Sequence, residues 1–247
     1  MTENAFEAIQ GTVNSRLLFL CDHASNRLPA GGLGLEPALL ATHIAYDIGA
    51  GALTRALAKA YGAPALLGGW SRLLIDLNRG ADDPTLVMKL SDGSIIPGNV
   101  SDDPDADTAE VARRIATYHA PYHAAIDAEL DRLGKEAAVI SMHSFTPAWK
   151  GRPRPWQVGV LYDRDTRLSA PLMTRLAEAG LTVGDNEPYT GALEGDTLYQ
   201  HGTLRGLPHV LIEIRQDLIA SEAAAQEFAS RLKPILDLAI SDMHRQL

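Results

Sequence analysis

Apolar positions along the chain fall into two patterns. Short unbroken apolar runs bounded by turn residues read as strands buried on both faces, and apolar residues three and four apart over longer stretches read as one-sided helices. The first run predicts a strand over residues 16–22. The Ser, Asn, Pro and Gly residues of 24–32 then predict a loop. Helical spacing over 36–61, broken near Asp47 and Gly49, predicts one or two helices, and short strands are predicted at 64–67 and 73–77. Residues 80–105, rich in Gly, Pro, Asp and Ser, read as a long surface excursion of the kind that is usually functional or mobile. The clearest helix covers 107–133, with Val111, Ile115, Tyr118, Tyr122, Ile126 and Leu130 on one face and Gly134 as its stop. Strands at 137–141, 158–162 and 209–214 and helices at 169–179 and 220–244 complete the pattern. Residues 1–15 are polar and aperiodic and read as an N-terminal arm.

Strands alternate with helices from end to end, which predicts one α/β domain over residues 1–247 with a mostly parallel, helix-covered sheet. In such sheets, ligands bind beyond the carboxyl ends of the strands. The chain is 46% hydrophobic, enough for a sizeable core. Its net charge of −9 argues against nucleic acid but not against a small anionic substrate, because a local arginine cluster overrules the global field. A lone cysteine, Cys21, excludes an intrachain disulfide. No basic head precedes an apolar stretch, and no run approaches the ~20 apolar residues of a membrane span, so a cytoplasmic protein with no membrane partner is expected. The pattern sets no oligomeric state.

Four predicted strand ends concentrate ionisable and amide groups: Cys21-Asp-His-Ala-Ser-Asn26, Ile75-Asp-Leu-Asn-Arg79, Ser141-Met-His-Ser144 and Leu211-Ile-Glu-Ile-Arg215. Two of them contribute a histidine. Two histidines and a carboxylate are a usual ligand set for a catalytic zinc, although His23 and His143 could equally cap strands through hydrogen bonds. The third ligand is open between Asp47 and Asn26; a carboxylate is the better zinc ligand. Asp22 should point away from His23, because neighbours in a strand alternate faces. Asp76, inside an apolar run, needs a partner and could orient a histidine or an arginine. Glu213 lies in a strongly apolar strand, where burial would raise its pKa toward that of a general base; an ion pair with Arg215 is the alternative. Arg72, Arg79 and Arg215 could polarise a carbonyl or grip a carboxylate, or could pair with Asp47, Asp76 and Glu213. His119 and His123, at i and i+4, lack the glutamate of the zinc-protease helix and read as structural or substrate-contacting. No nucleophile elbow, phosphate loop or dinucleotide fingerprint occurs in the sequence.

Five peptides, in order and spacing, resemble the N-formylglutamate amidohydrolase family: Cys21-Asp-His-Ala-Ser-Asn26, Ser71-Arg-Leu-Leu-Ile-Asp-Leu-Asn-Arg79, Tyr118-His-Ala-Pro-Tyr-His123, Met142-His-Ser144 and Ile212-Glu-Ile-Arg215. The likeness covers about residues 16–240. That family is similar to the wider group of zinc carboxypeptidases and aspartoacylases. The resemblance implies a three-layer α/β/α domain around a mixed sheet, with Zn2+ at strand ends. It matches His23 and His143 to the metal histidines, Glu213 to the catalytic glutamate, and Arg72 to the arginine that polarises the scissile carbonyl. It matches Asn78 and Arg79 to the pair that holds the substrate carboxylate. One departure stands out: the wider group has Glu three residues after its first zinc histidine, where this chain has Asn26.

The expectation is therefore zinc-dependent hydrolysis of an N-acyl amino acid, N-formyl-L-glutamate or a relative. Zinc would be held by His23, Asp47 and His143. Glu213 and Arg72 would be catalytic, and Asn78, Arg79, Arg215, Asn26 and His123 would contact substrate. The rival readings are a related zinc deacylase with another acyl amino acid and a non-catalytic dicarboxylate-binding protein.

Overall fold

The computed structural model describes residues 4–246. In chain order the strands are β1 (Phe6–Ile9), β2 (Leu17–Cys21), β3 (Ala65–Gly68), β4 (Leu90–Ser91), β5 (Ser94–Ile95), β6 (Ala138–Phe145), β7 (Ala148–Trp149), β8 (Arg152–Pro153), β9 (Val158–Leu161), β10 (Val183–Asp185) and β11 (His209–Arg215). The helices are α1 (Pro37–Leu40), α2 (Ala50–Tyr61), α3 (Pro104–Arg114), α4 (Ala120–Leu133), α5 (Ser169–Glu178) and α6 (Glu222–Gln246). None of the described helices is long and apolar enough to cross a membrane.

Seven strands form one mixed, mostly parallel sheet in the order β1-β3-β2-β6-β11-β9-β10. Strands β3, β2, β6 and β11 run parallel, β1 is antiparallel to β3, and β9 is antiparallel to β11 and parallel to β10. The unbroken apolar runs have a simple cause: both faces of the sheet are covered. Leu17, Phe19 and Cys21 pack with α2, α5 and α6, whereas Leu18 and Leu20 pack with Tyr122, Ile126 and Leu130 of α4. The same alternation in β6 sends Ile140 and Met142 one way and Val139 the other.

The long helix is interrupted once. Asp103 caps α3 by accepting from the backbone N–H groups of Asp105 and Ala106. Residues Ile115–His119 then widen into a π-turn, with the Ala120 N–H bonded to the Ile115 carbonyl, and Pro121 follows directly. Proline has no N–H and its ring crowds the preceding turn, so a wider turn relieves the clash while the helix continues.

Two expectations need correction. The N-terminal arm is part of the sheet: Phe6–Ile9 pairs with β3, its short polar-flanked run being an edge strand too brief to show a period; residues 1–3 of that expected arm lie outside the described residues. Residues 73–77 are buried as their apolar character demands, but they form turns, not a strand. Their N–H groups bond locally, Leu74 and Ile75 to the Ser71 carbonyl and Asp76 to that of Leu86. Burial and strand pairing are separate requirements, and local carbonyls satisfied the second. The excursion at 80–105 carries the β4–β5 hairpin and is tied to the core by Leu86, Val87 and Ile96.

Candidate active site

The candidate site sits at the carboxyl ends of β2, β6 and β11, on the face toward α4. Glu213 of β11 and His143 of β6 are register partners across the parallel pair. His23 stands just beyond the end of β2. Asp47 reaches it because the chain turns before α2, and its N–H donates to the His23 carbonyl at 3.0 Å. Gly49 makes that turn possible: its φ is +82°, and a Cβ there would lie 2.0 Å from the Ile219 carbonyl oxygen.

His23, Asp47 and His143 are buried, and each offers a ligand atom within 4.8 Å of the others. The Asp47 Oδ2 atom is 2.8 Å from His143 Nδ1 and 3.5 Å from His23 Nδ1. The opposite ring nitrogens face carboxylates: His23 Nε2 is 2.7 Å from Asp76 Oδ1, and His143 Nε2 is 3.1 Å from Asp22 Oδ2. Carboxylates only accept, so each Nε2 carries a hydrogen; His23 Nδ1 can keep its lone pair for a metal, and His143 Nδ1, which faces Asp47, would give up its hydrogen to bind one. His23 Nδ1 is buried with no hydrogen-bond partner. Two imidazole lone pairs and a carboxylate oxygen around one point, with an orphaned nitrogen among them, fit a divalent metal.

Electrostatics agree with that fit. Burial works against charge on His143, but its hydrogen bonds to Asp22 and Asp47 outweigh it and hold the pKa well above the ordinary histidine value. Burial and the Arg72 charge oppose protonation of His23, yet Asp76 and Asp47 raise its pKa as well. Burial would push the Asp22 carboxyl up; its hydrogen bond to His143 and the histidine charges bring it down to about 2. Asp76 is likewise held well below the carboxylate range, against burial, by Arg72 and His23. The carboxylates thus stabilise positive charge within the cluster.

Glu213 is the exception among these acids. Burial raises its pKa to about 7, and its Oε2 has no hydrogen-bond partner. Room for it comes from Gly159, its register partner on β9, where an added Cβ would meet the Glu213 Cβ at 3.2 Å and the Glu187 carbonyl oxygen at 2.2 Å. A cavity of about 260 Å³ opens over this carboxyl, and its walls include His23, Asp47, Arg72, Asn78, Arg79 and His143.

Most of the sequence-predicted residues meet here. Arg72 lines the cavity, with Nη2 donating to Asp76 at 2.8 Å and Nη1 3.6 Å from Asp47. Asn78 and Arg79 line it too, on a braced turn. The Leu77 carbonyl accepts from His123 Nε2 at 3.0 Å, the Arg79 carbonyl accepts from His119 Nε2 at 2.8 Å, and Asn78 Oδ1 accepts from the Thr197 N–H at 3.1 Å. His123 therefore stands behind the cavity wall, its other nitrogen 2.8 Å from His201 Nε2. Asn26 donates to the Leu40 carbonyl at 2.8 Å and is not among the cavity-lining residues. Arg215 pairs with Asp217 rather than with Glu213, and its Nη1 faces the carbonyls of residues 154–156; it also lies outside the lining. Arg215 has the parity of Glu213 but is the last residue of β11, and Asp217 and the 154–156 carbonyls hold its guanidinium there.

Asp22 turns toward α4, as alternation requires, and there holds His143 while accepting from Tyr122 and Thr197 at 3.0 Å each. Its role was not legible, since His143 reaches the same face from another strand. Asp196, its pKa raised by burial to about 6, and Tyr189 also line the cavity from a loop whose sequence carries no periodic signal.

Residues 15–220 match the sequence profile of a family described as N-formylglutamate amidohydrolase. Among solved structures, a gene product of Agrobacterium tumefaciens is 34% identical, with 97% of this chain and 96% of that chain covered and a TM-score of 0.87. The N-formylglutamate amidohydrolase from Ralstonia eutropha is 22% identical over 97% of each chain, with a TM-score of 0.67, a likeness of fold. No curated protein matches.

Proposed function

We propose that this chain, which belongs to the N-formylglutamate amidohydrolase family, uses zinc to hydrolyse the amide bond of an N-acyl amino acid, with N-formyl-L-glutamate as its substrate. What supports this most is the unpartnered Glu213 oxygen facing the same cavity as a His23–Asp47–His143 cluster.

His23 and His143, through Nδ1, and an Asp47 oxygen would hold the ion, with Asp76 and Asp22 fixing the two ring tautomers. When bound, zinc supplies a Lewis acid that makes water more acidic and polarises a carbonyl. Glu213 takes a proton from the attacking water and delivers it to the leaving amine; a pKa of about 7 suits both directions near neutral pH. Arg72, anchored by Asp76, offers its charge to the carbonyl oxygen as negative charge grows there. Removing such a donor typically lowers turnover by about 10²–10³. Asn78 and Arg79 hold the substrate carboxylate and thereby orient the amide.

Formate release from N-formyl-L-glutamate by the zinc-loaded protein is the test. Turnover that disappears on chelation and returns with zinc is expected. No turnover with added zinc overturns the assignment.

A further inference from the structure

Behind the wall that carries Asn78 and Arg79, three side chains form one line of hydrogen bonds from the interior to the surface. His123 Nε2 meets the Leu77 carbonyl at 3.0 Å, His123 Nδ1 meets His201 Nε2 at 2.8 Å, and His201 Nδ1 meets Asp127 Oδ1 at 3.1 Å. Both rings are buried, whereas the Asp127 side chain is 53% exposed. His123 and Asp127 lie one turn apart on α4, and His201 reaches them from the π-turn at Tyr199–Thr203.

This line needs three hydrogens. A carbonyl and a carboxylate only accept, so His123 Nε2 and His201 Nδ1 each require one, and the contact between the rings requires a third. Two neutral imidazoles bring two. All three bonds therefore exist together only when the pair holds one extra proton. Burial and the charge of His119 bring the His123 pKa down to about 3, and burial lowers that of His201 against the pull of Asp127. The extra proton thus resides on His201 and is lost as pH rises through a value below that of an ordinary histidine. His119, whose ring centre is 4.1 Å from that of His123, and Arg205, 3.0 Å from the same Asp127 oxygen, oppose the charge; Asp127 and Asp22 favour it.

Losing that proton costs the line one bond, and the acceptors decide which. A hydrogen bond to an ionised acceptor is about twice as strong as one to a neutral acceptor, so Asp127 keeps its hydrogen. The Leu77 carbonyl can release His123 because the Thr197 hydroxyl lies 3.1 Å from it. His123 then carries its hydrogen on Nδ1, and its hold on the turn is gone.

We propose that His201 and Asp127 are positioning residues for substrate: protonated His201 makes His123 brace the Leu77–Arg79 turn, so that Asn78 and Arg79 hold the substrate carboxylate more tightly in acid than in base. This rests on the role of Asn78 and Arg79 proposed above. A line with a structural role alone predicts lost stability on substitution and no change in pH dependence.

Asp127→Asn distinguishes the two, because an amide can donate to His201 Nδ1 where a carboxylate cannot. All three bonds then form on neutral rings at every pH. Nitrogen-15 shifts of both rings in the zinc-loaded protein are read between about pH 5 and pH 8, the range in which histidine changes charge. Wild-type His123 should pass from Nε2–H to Nδ1–H as pH rises, and Asp127→Asn should hold it as Nε2–H throughout. Affinity for N-formyl-L-glutamate is measured with and without Asp127→Asn on the zinc-loaded Glu213→Gln background, where turnover is slowed. It should fall with pH about two- to tenfold further when Asp127 is present, the range for one neutral hydrogen bond. Asp196, on the cavity wall with its pKa at about 6, adds the same slope to both proteins. His123 as Nε2–H at both ends of the range in the wild type, or equal slopes with and without Asp127, overturns the proposal. Tautomer exchange with no binding by either protein at any pH overturns the substrate assignment and leaves the brace standing.

Discussion

Glu213 and His143 are register partners on adjacent parallel strands, β11 and β6, and both side chains project toward α4. A carboxyl group and an imidazole therefore meet at the carboxyl end of the sheet, with no loop between them to vary their spacing. The pKa of the carboxyl is raised by burial, and that of the imidazole by its hydrogen bonds to Asp22 and Asp47. Both groups thus hold a proton more tightly than they would in water, the carboxyl because it is buried and the imidazole because carboxylates face it.

Glu213→Gln should keep the fold and the bound zinc but lower kcat by about 10²–10⁴, the usual contribution of a general base. In the proposed mechanism the ionised carboxylate is the base. With its pKa raised to about 7, kcat/KM should fall on the acid side of neutrality, by about tenfold per pH unit, and level off above it. A pH–rate profile without this acid limb in the wild type would count against the assignment.

Zinc should bind at about one ion per chain, the stoichiometry of a single mononuclear site, and His143→Ala should lose it together with activity. Asp76→Asn removes the negative charge that faces His23 Nε2 and helps to fix its tautomer. It should weaken zinc binding by about 10- to 100-fold without abolishing it. Elemental analysis and chelator competition read these two effects separately.

His119→Phe removes the donor to the Arg79 carbonyl. The net worth of one such bond is about 0.5–1.5 kcal/mol, so KM should rise about two- to tenfold. Burial lowers the His119 pKa, so the ring is neutral at pH 7 and donates through Nε2. His119→Gln, which keeps an N–H donor, should restore much of the loss in steady-state kinetics.

Gly159→Ala should lower stability by about 1–3 kcal/mol, the usual result of overpacking, because its Cβ would meet the Glu187 carbonyl oxygen at 2.2 Å. Denaturant unfolding measures this directly. An unchanged midpoint would mean that the β9 backbone yields more easily than a paired strand should.

Much of this molecule follows from local sequence. Apolar runs sandwiched between two helical layers marked β2, β6, β9 and β11, since strands covered on both faces have no polar alternation to blur them. Polar residues ending those runs placed His23, His143 and Glu213 near one another, because parallel strands finish on one side of a sheet. Asp47 was legible as a ligand candidate on chemical grounds, a carboxylate being preferred to the Asn26 amide.

Tertiary structure decided the rest. The apolar stretch at 73–77 satisfied burial without becoming a strand, because carbonyls of Ser71 and Leu86 took its N–H groups. Phe6–Ile9 became an edge strand because β3 offered it an open partner. Arg215 and Asn26 were drawn away from the cavity by Asp217 and the Leu40 carbonyl. His123 bonds to the Leu77 carbonyl behind the wall. Tyr189 and Asp196 joined the cavity wall from a segment distant in the chain. Residue type and periodicity determine which groups are buried or end a strand; hydrogen-bond partners far along the sequence determine where their polar atoms point.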